Sequence, residues 1–159
     1  MRKTKEAFSW IIKILRKHAI SFQITGGLAA RIYGSKRPLA DIDIELPDKK
    51  ILAIQNEVKR HGIYGPKRYR DREFDLLYMT LKYKGQEIDL CGINSQKIFN
   101  KQTKKWEKEC PDLAKAKRKK VYQRVVPVTR LEDLTRYKKK IDRAVDRHDL
   151  SALIPYLKP

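Results

Sequence analysis

Residues 41–46 read Asp-Ile-Asp-Ile-Glu-Leu, an unbroken alternation of acid and aliphatic side chains. Successive side chains of an extended strand point to opposite faces. The segment is therefore predicted to be a strand with Ile42, Ile44 and Leu46 turned into a core and Asp41 and Asp43 together on the other face. Acids at i and i+2 stand about 7 Å apart along such a strand. A one-residue slip would bury them and expose the aliphatics, so the apolar face fixes the register and with it the aim of both carboxylates.

The rest of the chain predicts α/β (α+β) architecture: a small mixed sheet flanked by helices, with a helical C-terminal part. Phe8, Ile11, Ile12 and Leu15 recur at helical spacing within residues 4–18. Residues 21–25 read as a short strand, 28–33 as a short helix ending at Gly34, and 49–61 as a helix ended by Gly62. Strand-like runs at 74–82 and 87–93 flank Lys84-Gly85, a hairpin signal. A helix is expected from Ser95 to about Trp106 and a charged loop over 107–120. Residues 121–128 resemble an edge strand limited by Pro127. Helices follow, the first opened by a capping box of Thr129 and Glu132. The organisation expected is a single domain over 1–159, with a catalytic sheet core over 1–94 and a basic, mainly helical part over 95–159.

Charge narrows the partners. The 159 residues carry 38 Lys and Arg against 19 Asp and Glu, a net charge of +19. Such a field favours polyanions and repels polycationic small molecules. Residues 97–147 hold 18 basic and 7 acidic residues, interleaved with Trp106, Tyr122 and Tyr137, a pattern suited to stacking on bases. No apolar run approaches the length of about 20 residues that crosses a bilayer, and Lys13, Arg16 and Lys17 break the N-terminal apolar stretch. No membrane partner is expected. Cys91 and Cys110 offer neither a disulfide framework nor zinc-ligand spacing, so a reduced, cytoplasmic setting is expected.

The chemistry concentrates in Ile24-Thr25-Gly26-Gly27 and, thirteen residues later, Asp41-Ile42-Asp43-Ile44. Two close carboxylates repel each other, a divalent cation relieves the repulsion, and an all-oxygen donor set suits Mg²⁺ or Mn²⁺ bridging substrate phosphates. Glycines between a strand and a helix let the backbone approach a phosphate closely. Asp89, inside Ile88-Asp89-Leu90, is the candidate third carboxylate, with Glu87 ranked behind it. Gly34-Ser35-Lys36 is not a P-loop, because Ala29 stands where its first glycine belongs.

The run from Gly26-Gly27 to Asp41-Ile42-Asp43, with Asp89 downstream, resembles the polymerase β-like nucleotidyltransferase superfamily. It is most similar to the small stand-alone members, the antibiotic and toxin–antitoxin nucleotidyltransferases. Leu131-Glu132-Asp133-Leu134 with Lys138, Arg143, Asp146 and Asp149 resembles their C-terminal helix, although Val145 stands where those relatives often carry lysine. The resemblance spans less than half the chain.

It implies Mg²⁺-dependent attack of an acceptor hydroxyl on the α-phosphate of a nucleoside triphosphate, with two Mg²⁺ (or Mn²⁺) ions held by Asp41, Asp43 and Asp89. Asp89 would also take the hydroxyl proton. Gly26, Gly27, Lys36, Arg37 and Lys138 are the candidate nucleotide-binding residues, whereas Asp146 and Asp149 read as an ion-pair or capping device. Which base the triphosphate carries, ATP or another, is left open. The basic C-terminal half favours RNA or protein as acceptor. The alternatives are a catalytically weak nucleic-acid- or protein-binding module of the same fold and a small-molecule, antibiotic-type nucleotidyltransferase.

Overall fold

The N-terminal apolar stripe folds as helix α1 (Arg2–Lys17) and buries Ala7, Phe8, Ile11, Ile12 and Leu15 completely. Full burial of a large aliphatic or aromatic side chain contributes about 1.5–3 kcal/mol relative to exposure, so this face anchors the helix. The computed structural model describes residues 2–158. After α1 come β1 (Gln23–Ile24), α2 (Gly26–Ile32), β2 (Asp41–Leu46) and α3 (Asp48–Val58). Strands β3 (Gly62–Arg70), β4 (Phe74–Tyr83), β5 (Gln86–Gly92), β6 (Lys97–Asn100), β7 (Lys105–Lys108), β8 (Lys117–Val121) and β9 (Arg124–Val128) follow. Helices α4 (Leu131–Ile141) and α5 (Ala144–Leu153) close the chain.

The nine strands form one mixed sheet in the order β7-β6-β4-β5-β2-β1-β9-β8, with β3 paired to β4 off that path. The central pairs β2–β5 and β1–β9 are parallel and the remaining pairs antiparallel. Ile42, Ile44, Leu46, Ile88, Leu90 and Leu81 are fully buried in one cluster with the apolar faces of α1 and α3. The alternation of β2 thus does what its sequence requires: one face of the sheet is the core, and the other is left for the acids.

Several local expectations are corrected. Residues 95–106 are not helical but enter the hairpin β6–β7, in which Phe99 faces Trp106 and Asn100 faces Lys105. The Asn100 carboxamide accepts from the backbone N–H groups of Gln102 and Thr103 and shapes that turn. The charged segment 107–120 holds the end of β7, a 3-10 turn over Leu113–Lys115 and most of β8. Residues 121–128 are not one edge strand. Tyr122 and Gln123, both at positive φ, make a two-residue turn, β9 lies between β1 and β8, and β8 is the edge. Four strands therefore precede the helices of the part expected to be mainly helical.

The helix at 48–58 ends through a 3-10 turn, and Gly62 is extended (φ −70°), beginning β3, a strand with no pattern in the sequence. No capping box opens α4 either. Its N-cap is Arg130, while the Thr129 hydroxyl donates to the Ile24 carbonyl and ties β9 to β1. No helix among the described residues is long and apolar enough to cross a membrane.

Candidate active site

Strands β2 and β5 run parallel in a register that sets Asp43 directly beside Asp89, and Asp41 beside Glu87. One carboxylate oxygen from each of Asp41, Asp43 and Asp89 lies within 4.8 Å of the other two. The separation along the sequence is closed by pairing alone. Glu87 stays at the half-exposed end of the strand, with Lys82 3.8 Å away.

Asp43 sits at the back of a cleft of about 370 Å³. Burial, reinforced by the charges of Asp41 and Asp89, pushes its carboxyl up to about 8, against the pull of the Gly27 N–H and the Lys138 ammonium. Burial raises Asp89 as well, while hydrogen bonds from Tyr78 and Thr80 oppose the rise. The Thr80 hydroxyl lies 2.8 Å from Asp89 Oδ1 and fixes that carboxylate's orientation. Three crowded carboxylates, an all-oxygen set of hard donors whose mutual repulsion a bound cation would relieve, fit a divalent metal ion.

The glycine turn closes one wall. Gly26 has φ +60°, and a Cβ there would stand 1.9 Å from Asp43 Oδ2. A left-handed backbone and the absence of a side chain are both required for the carboxylate to lie against it. A Cβ on Gly27 would meet Arg37 Nη2 at 2.8 Å, so the guanidinium also packs over this turn. Gly26→Ala should accordingly displace Asp43 and cut catalytic turnover at least tenfold. Backbone strain adds a stability loss of about 1–2 kcal/mol. Turnover measured beside a denaturant melt checks both, and unchanged turnover would mean that the turn does not shape the site.

The other nucleotide-binding candidates are placed unequally. Arg37 lines the cleft and grips Asp149 through Nε–Oδ1 (2.9 Å) and Nη2–Oδ2 (3.0 Å). Lys36 is exposed and is not among the cleft-lining residues. Lys138 lines the cleft and is only 1% exposed, its ammonium 3.1 Å from Asp146 and 3.0 Å from Asp149. Arg143 also holds Asp146, at 2.7 Å, with its guanidinium over the Phe74 ring. Asp146 and Asp149 are thus the hub of a buried charge network that ties α4 and α5 to the loop before β2. Their pKa values stay below the usual carboxylate range because these hydrogen bonds and cations outweigh the cost of burial.

Sequence reasoning missed Tyr69, Phe74, Tyr78 and Gln96, which also line the cleft. The alternation Phe74, Leu76, Tyr78, Thr80 in β4 carried a signal, since it continues the acid-bearing face across to Asp89. Tyr69 had none, because β3 shows no alternation. Cys91 lines the cleft two residues beyond Asp89, and burial pushes its thiol well up, which makes it inert. His61 packs on Trp10 and Tyr83, away from the acids.

No protein-family model matches the sequence, and neither does any curated protein. Solved structures do. A protein of Thermotoga maritima described as a nucleotidyltransferase superposes with a TM-score of 0.64 at 18% identity, covering 94% of this chain and 95% of its own. The lincosamide antibiotic adenylyltransferase LnuA, solved with lincomycin bound, gives 0.63 at 16% identity over 96% and 97%. ANT(2″)-Ia, in complex with adenylyl-2″-tobramycin, gives 0.60 at 14% identity over 98% and 90%. The chain has the nucleotidyltransferase fold.

Proposed function

We propose that this protein is a Mg²⁺-dependent nucleotidyltransferase that moves a nucleoside monophosphate from a nucleoside triphosphate to an acceptor hydroxyl. The observation that carries this reading is the convergence of Asp41, Asp43 and Asp89 within 4.8 Å beside the Gly26 turn. Asp41, Asp43 and Asp89 would hold Mg²⁺ or Mn²⁺, two ions in all, which supply Lewis-acid stabilisation of the charge developing on the phosphate.

The chain's own groups supply the rest. The acceptor oxygen bonds to the α-phosphorus, the bond from that phosphorus to the bridging oxygen breaks, and pyrophosphate leaves. Asp89 accepts the hydroxyl proton, its aim set by the Thr80 hydroxyl. Arg37, held edge-on by Asp149 beside Gly27, offers its guanidinium to the triphosphate. Lys138, in the wall of the cleft, fixes the two acids that orient Arg37 and Arg143.

The test is incubation with each α-labelled triphosphate, Mg²⁺ and a mixed pool of RNA, protein and small molecules. Label should pass to an acceptor and the transfer should stop on chelation of the metal. The product names both the base and the acceptor. If no triphosphate yields product or binds in the presence of metal, the fold serves binding alone and the transferase reading falls.

A further inference from the structure

We propose that the β3–β4 ribbon is the acceptor-binding surface of this site and that its occupant is the end of a single-stranded polynucleotide, delivered hydroxyl first to Asp89. This rests on the transferase reading and gives it a substrate class. Three tyrosines form one aromatic cluster at the rim of the cleft that holds the carboxylates. Tyr78 lines the cleft with Asp89, Tyr69 lies 5.3 Å from Tyr78 between ring centroids, and Tyr64 lies 5.9 Å from both. Tyr69 lines the cleft too, so the cluster and the site are one surface. No residue of β3 is buried, so the Tyr64 and Tyr69 rings keep part of their surface in solvent.

The same segment is strongly basic. Residues 59–72 contain six Lys and Arg against the single acid Asp71. Arg68 is occupied by Asp75, but Lys67 lies over the Tyr64 ring at 4.6 Å and Arg70 over Trp106 at 5.1 Å. Lys59, Arg60 and Arg72 have no ion-pair partner among the described residues. Aromatic faces that stack bases, alternating with cations that meet phosphates, are what a single strand needs and a duplex cannot use, since its bases are already stacked and paired.

The two other basic regions serve differently. In and around α4 and α5, Arg130, Arg136, Lys138, Lys140, Arg143 and Arg147 are all ion-paired, so most of the charge of these two helices is met by acids of the same chain. Lys117, Arg118, Lys119 and Lys120 lie on the sheet edge β8, beyond β5, β2, β1 and β9 from the ribbon, where lysines guard against edge-to-edge pairing.

The experiment is fluorescence anisotropy of labelled 12-nucleotide RNA, DNA and a blunt RNA duplex on the full chain, without triphosphate or metal. Both single strands should bind and the duplex should bind at least tenfold more weakly; a preference between RNA and DNA identifies which strand the surface reads. Tyr64→Ala with Tyr69→Ala should weaken single-strand binding by about ten- to a hundredfold. Lys67→Glu, a surface change that leaves strand packing alone, should lower the salt slope by about one. Strand binding is read here without triphosphate or metal, and nucleotidyl transfer is measured apart from it, which separates this proposal from the transferase reading. Absence of single-strand binding overturns the proposal. So does equal duplex affinity, or equal loss of affinity when Lys117→Glu and Lys119→Glu are made instead.

Discussion

Asp43→Asn is expected to cut nucleotidyl transfer by about a thousandfold or more while making the metal-free protein more stable. Losing a ligand that stabilises several kcal/mol of charge in the transition state corresponds to about that factor, at about 1.4 kcal/mol per decade. The opposite effect on stability follows from the folded carboxyl standing at about 8 because it is buried beside Asp41 and Asp89. Between the unfolded value near 4 and the folded value, the native state holds a proton that the unfolded chain releases. Stability of the metal-free protein therefore falls as pH rises through that window, by an amount on the order of a few kcal/mol.

Asparagine keeps an oxygen for the Gly27 N–H and removes the charge, so the variant should show a flatter pH profile and a higher melting temperature at pH 7. Added Mg²⁺ should raise the melting temperature of the parent more than that of the variant. Thermal melts in chelator at pH 5, 7 and 9, beside a transfer assay, measure all of this. A variant that still transfers, or that melts lower than its parent, would remove the basis for the cation site.

Lys138→Met is expected to destabilise the fold by about 3–5 kcal/mol, because it strips the ammonium from two carboxylates that have no exposed surface. For a chain of this size that corresponds to a fall of roughly 10 °C in melting temperature. Asp146 and Asp149 have depressed pKa values in the folded state, so their contribution is present above the unfolded value near 4 and is lost as pH falls through the folded one. The parent should lose stability steeply on acidification below about pH 4, and the variant less steeply. Were Lys138 a nucleotide contact, the substitution would weaken triphosphate binding at unchanged melting temperature. Denaturant titration and triphosphate binding of one preparation decide between the two roles.

Legibility followed local pattern. The strand at 41–46, the hairpin about Lys84-Gly85 and the buried stripe of α1 each carry a period or a turn signal, and each forms where that signal lies. Strands β6, β7 and β8 carry neither. Their residues are mostly charged, they pair at the sheet's margins, and their turns use Lys104, Tyr122 and Gln123 at positive φ, residue types that announce no turn. Tertiary pairing overrode propensity there. Lys138 marks the same limit in the site, since a lysine in a helix reads alike whether it faces solvent or a buried aspartate pair.

The amino-acid order alone thus determined which residues bear the chemistry. Alternation in β2 commits Asp41 and Asp43 to one face, and a left-handed glycine is needed wherever a carboxylate must press against backbone. Only the folded chain decided which groups meet. Parallel pairing of β2 with β5 brings Asp89 to Asp43 across more than forty positions, β4 supplies the Thr80 that holds it, and Lys138 and Arg143 of the C-terminal helices meet the buried Asp146. Side-chain direction is a local property of the backbone, whereas partnership between distant side chains is fixed by sheet register and helix docking, which no short stretch of residues encodes.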